Sequence, residues 1–178
     1  MGLPIGQRAK MRMLPCRRRG DVSIHPTAIL SRREMIHLGK RAQVGEYAII
    51  RAHEYPVEIG AFSQVGPFVV ILGGFGVTIG ENVMIAPHVV IAAGNHDYKQ
   101  IEKPMRFAGN LSRGPIVIEE NVWIGANVTI TDGVRIGRDA VIGANSVVTR
   151  DVEAFDVVGG VAARVLFNRK QLHMRRTG

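Results

Sequence analysis

A histidine is the side chain best suited to take a proton from a hydroxyl near neutral pH, and this chain of 178 residues holds six. His96 stands apart from the rest. It lies in Gly94-Asn95-His96-Asp97, directly before the polar stretch 97–114. Long connections with little structure of their own are usually functional or disordered. A base positioned there would deprotonate an acceptor and contribute about 10²–10⁴-fold to a rate. Its two neighbours each have two readings. Asp97 could orient the imidazole or shape a turn, and Asn95 could bind substrate or complete that turn. His25, His37 and His173 fall near the ends and are expected in solvent. His53 and His88 each follow an aliphatic residue by three positions, which predicts equivalent corners of different structural layers. Trp123 is the only tryptophan and precedes Ile124, so it is expected to face outward. Cys16 is the only cysteine, so no internal disulfide forms, and it lies far along the chain from His96. Direct base catalysis is therefore expected, without a covalent thiol relay.

A repeat must position these groups. An aliphatic residue recurs every six positions: Leu38, Val44, Ile50; Ile59, Val65, Ile71; Ile79, Ile85, Ile91; then Ile118, Ile124, Ile130, Ile136, Ile142, Val148. Glycine follows eight of these fifteen anchors directly. Four residues after most anchors stands a second small or β-branched residue, such as Ala48, Val69, Val128 or Ser146. A period of six is even, so each anchor returns to the same face of a strand. It does not match a helix of 3.6 residues per turn. Three such units make one triangular turn of a parallel β-solenoid, with anchors stacked inside and glycines permitting the corners. The rhythm breaks after Ile50, Ile71 and Ile91, each time after three units, so every insertion leaves from one corner. The reading is an all-β fold of about five full coils, about 24 Å tall at 4.8 Å per layer. A degenerate coil is expected at 22–35, an extruded loop at 97–114 and a short terminal helix within 165–178. The domain is thus 22–164, with a basic arm over 1–21. A prism this narrow is filled by its own side chains, which puts any site on its outside.

Composition narrows the classes. Hydrophobic residues make up 46% and aromatic ones 6%, which fits a globular core of small aliphatic side chains. No apolar stretch is long enough to cross a membrane and no apolar core follows the basic N-terminus, so the cytoplasm is the expected compartment. Net charge is +8, concentrated in residues 8–19 and 164–176. Solubility explains it as well as an anionic ligand does, whether a phosphorylated cofactor or a membrane surface. Without a helix-turn-helix, zinc finger or aromatic stacking pattern, no nucleic-acid partner is expected.

The repeat, the segment Ala92-Ala93-Gly94-Asn95-His96-Asp97 with its excursion, and Asn121-Val122-Trp123-Ile124-Gly125-Ala126-Asn127 resemble the hexapeptide-repeat acetyltransferases. Val147-Val148-Thr149-Arg150-Asp151-Val152 and Val158-Gly159-Gly160 extend the likeness to roughly residues 22–166. The nearest branch is that of the maltose, galactoside and polysaccharide O-acetyltransferases. The resemblance implies a left-handed parallel β-helix, a homotrimer with active sites between subunits, and acetyl-CoA as co-substrate in the groove between two prisms. It makes His96 the general base and puts the Ala126 N–H on the thioester oxygen. Trp123 would pack near the donor, and Gly125, Ala126, Ala144, Thr149, Arg150 and Arg164 would line the CoA groove. Arg150 and Arg164 would neutralise phosphate.

The chain departs from the family in places. Gly160-Val161-Ala162-Ala163 stands where the family often has a proline in third place. Gly66 and Gly74 stand where the galactoside enzymes bind sugar, and no counterpart of those enzymes' helical N-terminal substrate domain is expected. The Gly73-Gly74-Phe75-Gly76 insertion is closer to the polysaccharide-modifying branch. O-acetylation of a sugar or polysaccharide precursor is the leading expectation. N-acylation of an amino sugar or xenobiotic, and a non-catalytic trimeric scaffold, are the alternatives. The γ-class carbonic anhydrases share this fold and bind zinc with three histidines. His53, His88 and His96 could be cast in that role, but that family's close His-x4-His pair is absent, so no metal is expected.

Overall fold

The computed structural model describes residues 17–19 and 21–177, of which 17–19 and 175–177 are described by backbone alone. Short strands stack into three sheets of nine, six and five strands, parallel except at the two ends of the largest, and these are the faces of a triangular prism. The six-residue anchors stack in register. Ile24, Val44, Val65, Ile85, Ile124, Ile142 and Val158 line the nine-stranded face. Leu30, Ile50, Ile71, Ile91, Ile130 and Val148 line the six-stranded face. Leu38, Ile59, Ile79, Ile118 and Ile136 line the third. Ile91 and Ile130 are completely buried, like most of their column. Each strand is only two to five residues long, so the fold depends on this inter-coil burial rather than on any strand alone.

The stack is longer than the five full coils read from the repeat: the nine-stranded face holds seven parallel strands. The segment around Ile24 and Leu30 forms a complete first layer, closed by Ile36–Leu38. Beyond Val148 the corner shortens, and Val152 bridges to Ile136 before Val158 opens the last layer. Antiparallel strands cover both ends of this face, Arg17–Arg19 at one end and Arg164–Asn168 at the other. Covered ends matter, because an open edge is a template for further pairing. The chain end expected as helix therefore begins with a strand; helix follows at Arg169–Thr177. Most of the expected basic arm lies outside the described residues. No helix among the described residues is long and apolar enough to cross a membrane.

The corners are not made by glycine. Two of them are turned by left-handed residues of other types. Arg41, Phe62, Asn82, Asn121, Asp139 and Phe155 form one column, and Tyr47, Phe68, His88, Asn127 and Asn145 the other, all with φ between 55° and 68°. That backbone is costly for a residue with a β-carbon, and the stacking of like corners offsets it. Tyr47, Phe68 and His88 stack with centroids 5.1 and 5.0 Å apart. The Asn121 amide donates to Asp139 at 2.6 Å. The glycines after the anchors do something else: they let coils touch. A β-carbon on Gly60 would lie 2.4 Å from the Gly80 carbonyl. The third corner, between the six- and five-stranded faces, is the one from which all the insertions leave, as their spacing predicts.

Candidate active site

His96 lies at that third corner. Ile91 takes its place in the inward column, Ala92 closes its strand, and the chain turns outward at Gly94. Asn95–His96 then pairs antiparallel with Asn110–Leu111. The excursion is thus a small arm with its own hairpin base and one turn of 3-10 helix at Met105–Phe107, rather than a bare loop. Its returning limb is tied down by Arg113. The Arg113 backbone N–H donates to Asp132 Oδ2 at 2.7 Å. Its guanidinium donates to the Thr149 carbonyl and to Thr131 Oγ1, each at 2.9 Å. Asp132 is buried, and the guanidinium lies 3.8 Å from its other oxygen.

Between the arm and the six-stranded face lies a cleft of about 280 Å³. Leu72 and Ala92 are neighbours on its sheet side. His96, Asn95 and Asn110 come from the arm, and His53 and Glu54 from the insertion after Ile50. Phe75 packs between the two insertions: its ring stacks on Tyr55 at 6.0 Å, and Gly94 leaves it space. The Asn95 side chain accepts from the His96 backbone N–H at 2.9 Å. Among the described residues Asp97 makes no hydrogen bond to the imidazole; its carboxylate accepts from the Lys99 N–H at 3.1 Å, in a turn. Among the described residues no hydrogen bond or ion pair holds the His96 ring, so it is exposed and open to a ligand.

The other expected residues divide between two places. Gly125, Ala126 and Ala144 lie at the corner where the nine-stranded face meets the six-stranded one, on consecutive coils. Their backbones run close, with the Gly125 N–H on the Ile142 carbonyl at 2.8 Å and the Asn145 N–H on the Ala126 carbonyl at 2.9 Å. The Ala126 N–H itself donates to nothing among the described residues. Thr149 and Arg150 lie instead at the corner that carries the arm, with the Thr149 carbonyl held by Arg113. Arg164 opens the closing strand and is exposed, its guanidinium on the Ala163 carbonyl at 3.1 Å. Trp123 faces outward as expected, half exposed, in a row with Met84 and Val141 on the nine-stranded face. That face lies opposite the corner bearing His96, so one prism holds Trp123 and His96 on opposite sides.

Two histidine readings change. His88 follows an anchor of the nine-stranded face and His53 one of the six-stranded face, so they occupy different corners. The three histidines are not brought together, and no group of three His, Cys, Asp or Glu residues able to hold a metal occurs among the described residues. His25 is not in solvent either: it is part-buried, 2.9 Å from Thr27 Oγ1 and 3.9 Å from Glu46. Glu54, Asn110, Arg113 and Asp132 were not singled out in the sequence. The spacing carried a signal for Glu54, because the insertion after Ile50 leaves from the same corner as the arm.

A coil of this kind with an exposed histidine beside its longest insertion defines the class of hexapeptide-repeat acyltransferases. The family model "Bacterial transferase hexapeptide (six repeats)" matches residues 56–93 and 115–150. Galactoside O-acetyltransferase of Escherichia coli strain K12 is 36% identical over 147 residues, 80% of this chain and 70% of that protein. The chain belongs to this family. The putative lipopolysaccharide biosynthesis O-acetyl transferase WbbJ of the same organism is 36% identical over 109 residues, 58% of this chain and 56% of that protein. Among solved structures, the hexapeptide-repeat acetyltransferase VCA0836 of Vibrio cholerae O1 biovar eltor, complexed with acetyl-CoA, superposes with a TM-score of 0.67. It is 37% identical, over 76% of this chain and 73% of that one.

Proposed function

We propose that the chain transfers an acetyl group from acetyl-CoA to a hydroxyl of a sugar or polysaccharide precursor, with His96 as the general base. The observation that carries this reading is the imidazole lining the cleft, unengaged among the described residues, in a chain with relatives named as O-acetyltransferases. The imidazole accepts the acceptor's hydroxyl proton as its oxygen attacks the thioester carbonyl. The free Ala126 N–H donates to the oxyanion that develops there. The carbonyl re-forms, the carbon–sulfur bond breaks, and the imidazolium returns its proton to the departing thiolate. Gly125 and Ala144 would line the donor's groove beside Ala126, on coils so close that a β-carbon on Gly125 would meet the Ala144 backbone nitrogen at 2.7 Å. Arg150 and Arg164 are exposed cations suited to phosphate.

One prism cannot complete this site, because Trp123 and Ala126 are a face away from His96. A homotrimer, in which one copy's arm reaches the donor strip of the next, supplies the missing half. The test is thiol release from acetyl-CoA, screened over free sugars, nucleotide sugars and lipid-linked glycans, with matched amines beside them. Release dependent on hydroxyl acceptors is expected; release with amines alone would replace this reading by N-acylation.

A further inference from the structure

The cleft beside His96 has a second polar wall that the chemistry of transfer does not use. His53 and Glu54 stand there on the insertion one coil layer beyond Gly73–Gly76, facing Asn110 and His96 from the arm. Elsewhere on the prism, some polar side chains bind one another. Glu119 engages Arg135 and the Arg138 N–H, and Asp132 engages Arg113. In the cleft they do not. Among the described residues the rings of His53 and His96, the carboxylate of Glu54 and the amide of Asn110 make no hydrogen bond or ion pair. Four unengaged polar side chains converging on about 280 Å³ can hold a ligand of one ring's size by its hydroxyls. Phe75 gives the same cleft an apolar patch, kept in place by Tyr55 and by the missing side chain of Gly94.

Charge narrows the ligand further. Among the described residues Glu54 is the only carboxylate lining the cleft, and no arginine or lysine lines it. Arg32, which comes close, donates its guanidinium to the His53 carbonyl. An anionic ring would therefore meet a like charge with no counter-ion, whereas a neutral ring offers hydroxyl donors to a strong acceptor.

We infer that Glu54, with His53 and Asn110, is the acceptor-holding wall of the site and selects an uncharged pyranose ring over a uronate. This deepens the proposed transfer and rests on it only for the word acceptor; binding is tested without turnover. The probes are methyl glucoside, methyl galactoside and the methyl glycoside of N-acetylglucosamine, each paired with methyl glucuronoside. Binding to the full-length chain is followed by ligand-observed NMR. At least one neutral glycoside is expected to bind about tenfold or more tightly than the glucuronoside. In Glu54→Gln that gap is expected to shrink to threefold or less, while the neutral ring weakens. A merely structural glutamate would not move the charge preference. Three results overturn the inference: no binding of any neutral glycoside, equal binding of the glucuronoside by the parent, or a gap unchanged in Glu54→Gln. His96→Ala in the thiol-release assay reports on the transfer separately, so each reading can fail alone.

Discussion

Arg113 holds Asp132 twice, by a backbone N–H at 2.7 Å and by its guanidinium, and so fastens the returning limb of the His96 arm to the next coil. Among the described residues the buried carboxylate has no other cation, and Gly133 closes the joint by donating to the Gly114 carbonyl at 3.0 Å. The position of His96 depends on this joint as well as on its own short hairpin.

Replacing Asp132 by alanine removes the acceptor. Hydrogen bonds to charged groups contribute about 1.5–3 kcal/mol, and the arm bears most of that loss. Hydrogen exchange across residues 97–114 should accelerate and acetyl transfer should fall, with the remaining coil amides unchanged. Asp132→Asn keeps an oxygen for the Arg113 N–H and should lie between. Exchange in the arm indistinguishable from the parent would show that the joint does not hold it.

The coils are stacked backbone on backbone at the glycine strip. Gly60→Ala puts a β-carbon 2.4 Å from the Gly80 carbonyl, whereas at Gly143 the nearest atom is 3.2 Å away. Gly60→Ala should cost about 1–3 kcal/mol or more from overpacking. At about 2–4 °C per kcal/mol for a chain of this size, calorimetry resolves that difference. Gly143→Ala should fall well short of it. Equal melting temperatures for the two variants would refute the close-approach role.

Most of the fold was legible because the repeat is enforced by burial: an anchor that left the Ile50–Ile71–Ile91–Ile130 column would leave a cavity in every neighbouring layer. Register and the insertion corner followed from spacing alone. The first and last layers were obscured where Ser31–Met35 and the short step from Val148 to Val152 break the rhythm. Corner chemistry was misread, since the glycines are the conspicuous residues while the left-handed positions are filled by Asn, Asp, Arg and aromatics. Their adequacy shows only when Tyr47, Phe68 and His88 are seen to stack. His96 was legible from its place before the excursion. The Arg113–Asp132 joint was not, because it links residues nineteen apart whose meeting depends on where the arm returns.

Trp123 and His96 lie on opposite sides of one prism, so a site using both must be shared between copies. Chains carrying His96→Ala and chains carrying Trp123→Ala should each be impaired alone. Co-expressed, they should regain activity toward about a quarter of the parent's, because random mixing in a closed trimer leaves that share of interfaces intact. No recovery in verified mixed trimers would place both residues' functions within one chain.

The proposed transfer depends above all on His96 as the base. The direct measurement is steady-state thiol release from acetyl-CoA by His96→Ala, with the acceptor identified for the parent. The turnover number should fall about 10²–10⁴-fold, while the KM for acetyl-CoA stays within a few-fold of the parent's. Turnover within tenfold of the parent would remove His96 from the base role and with it the proposed mechanism.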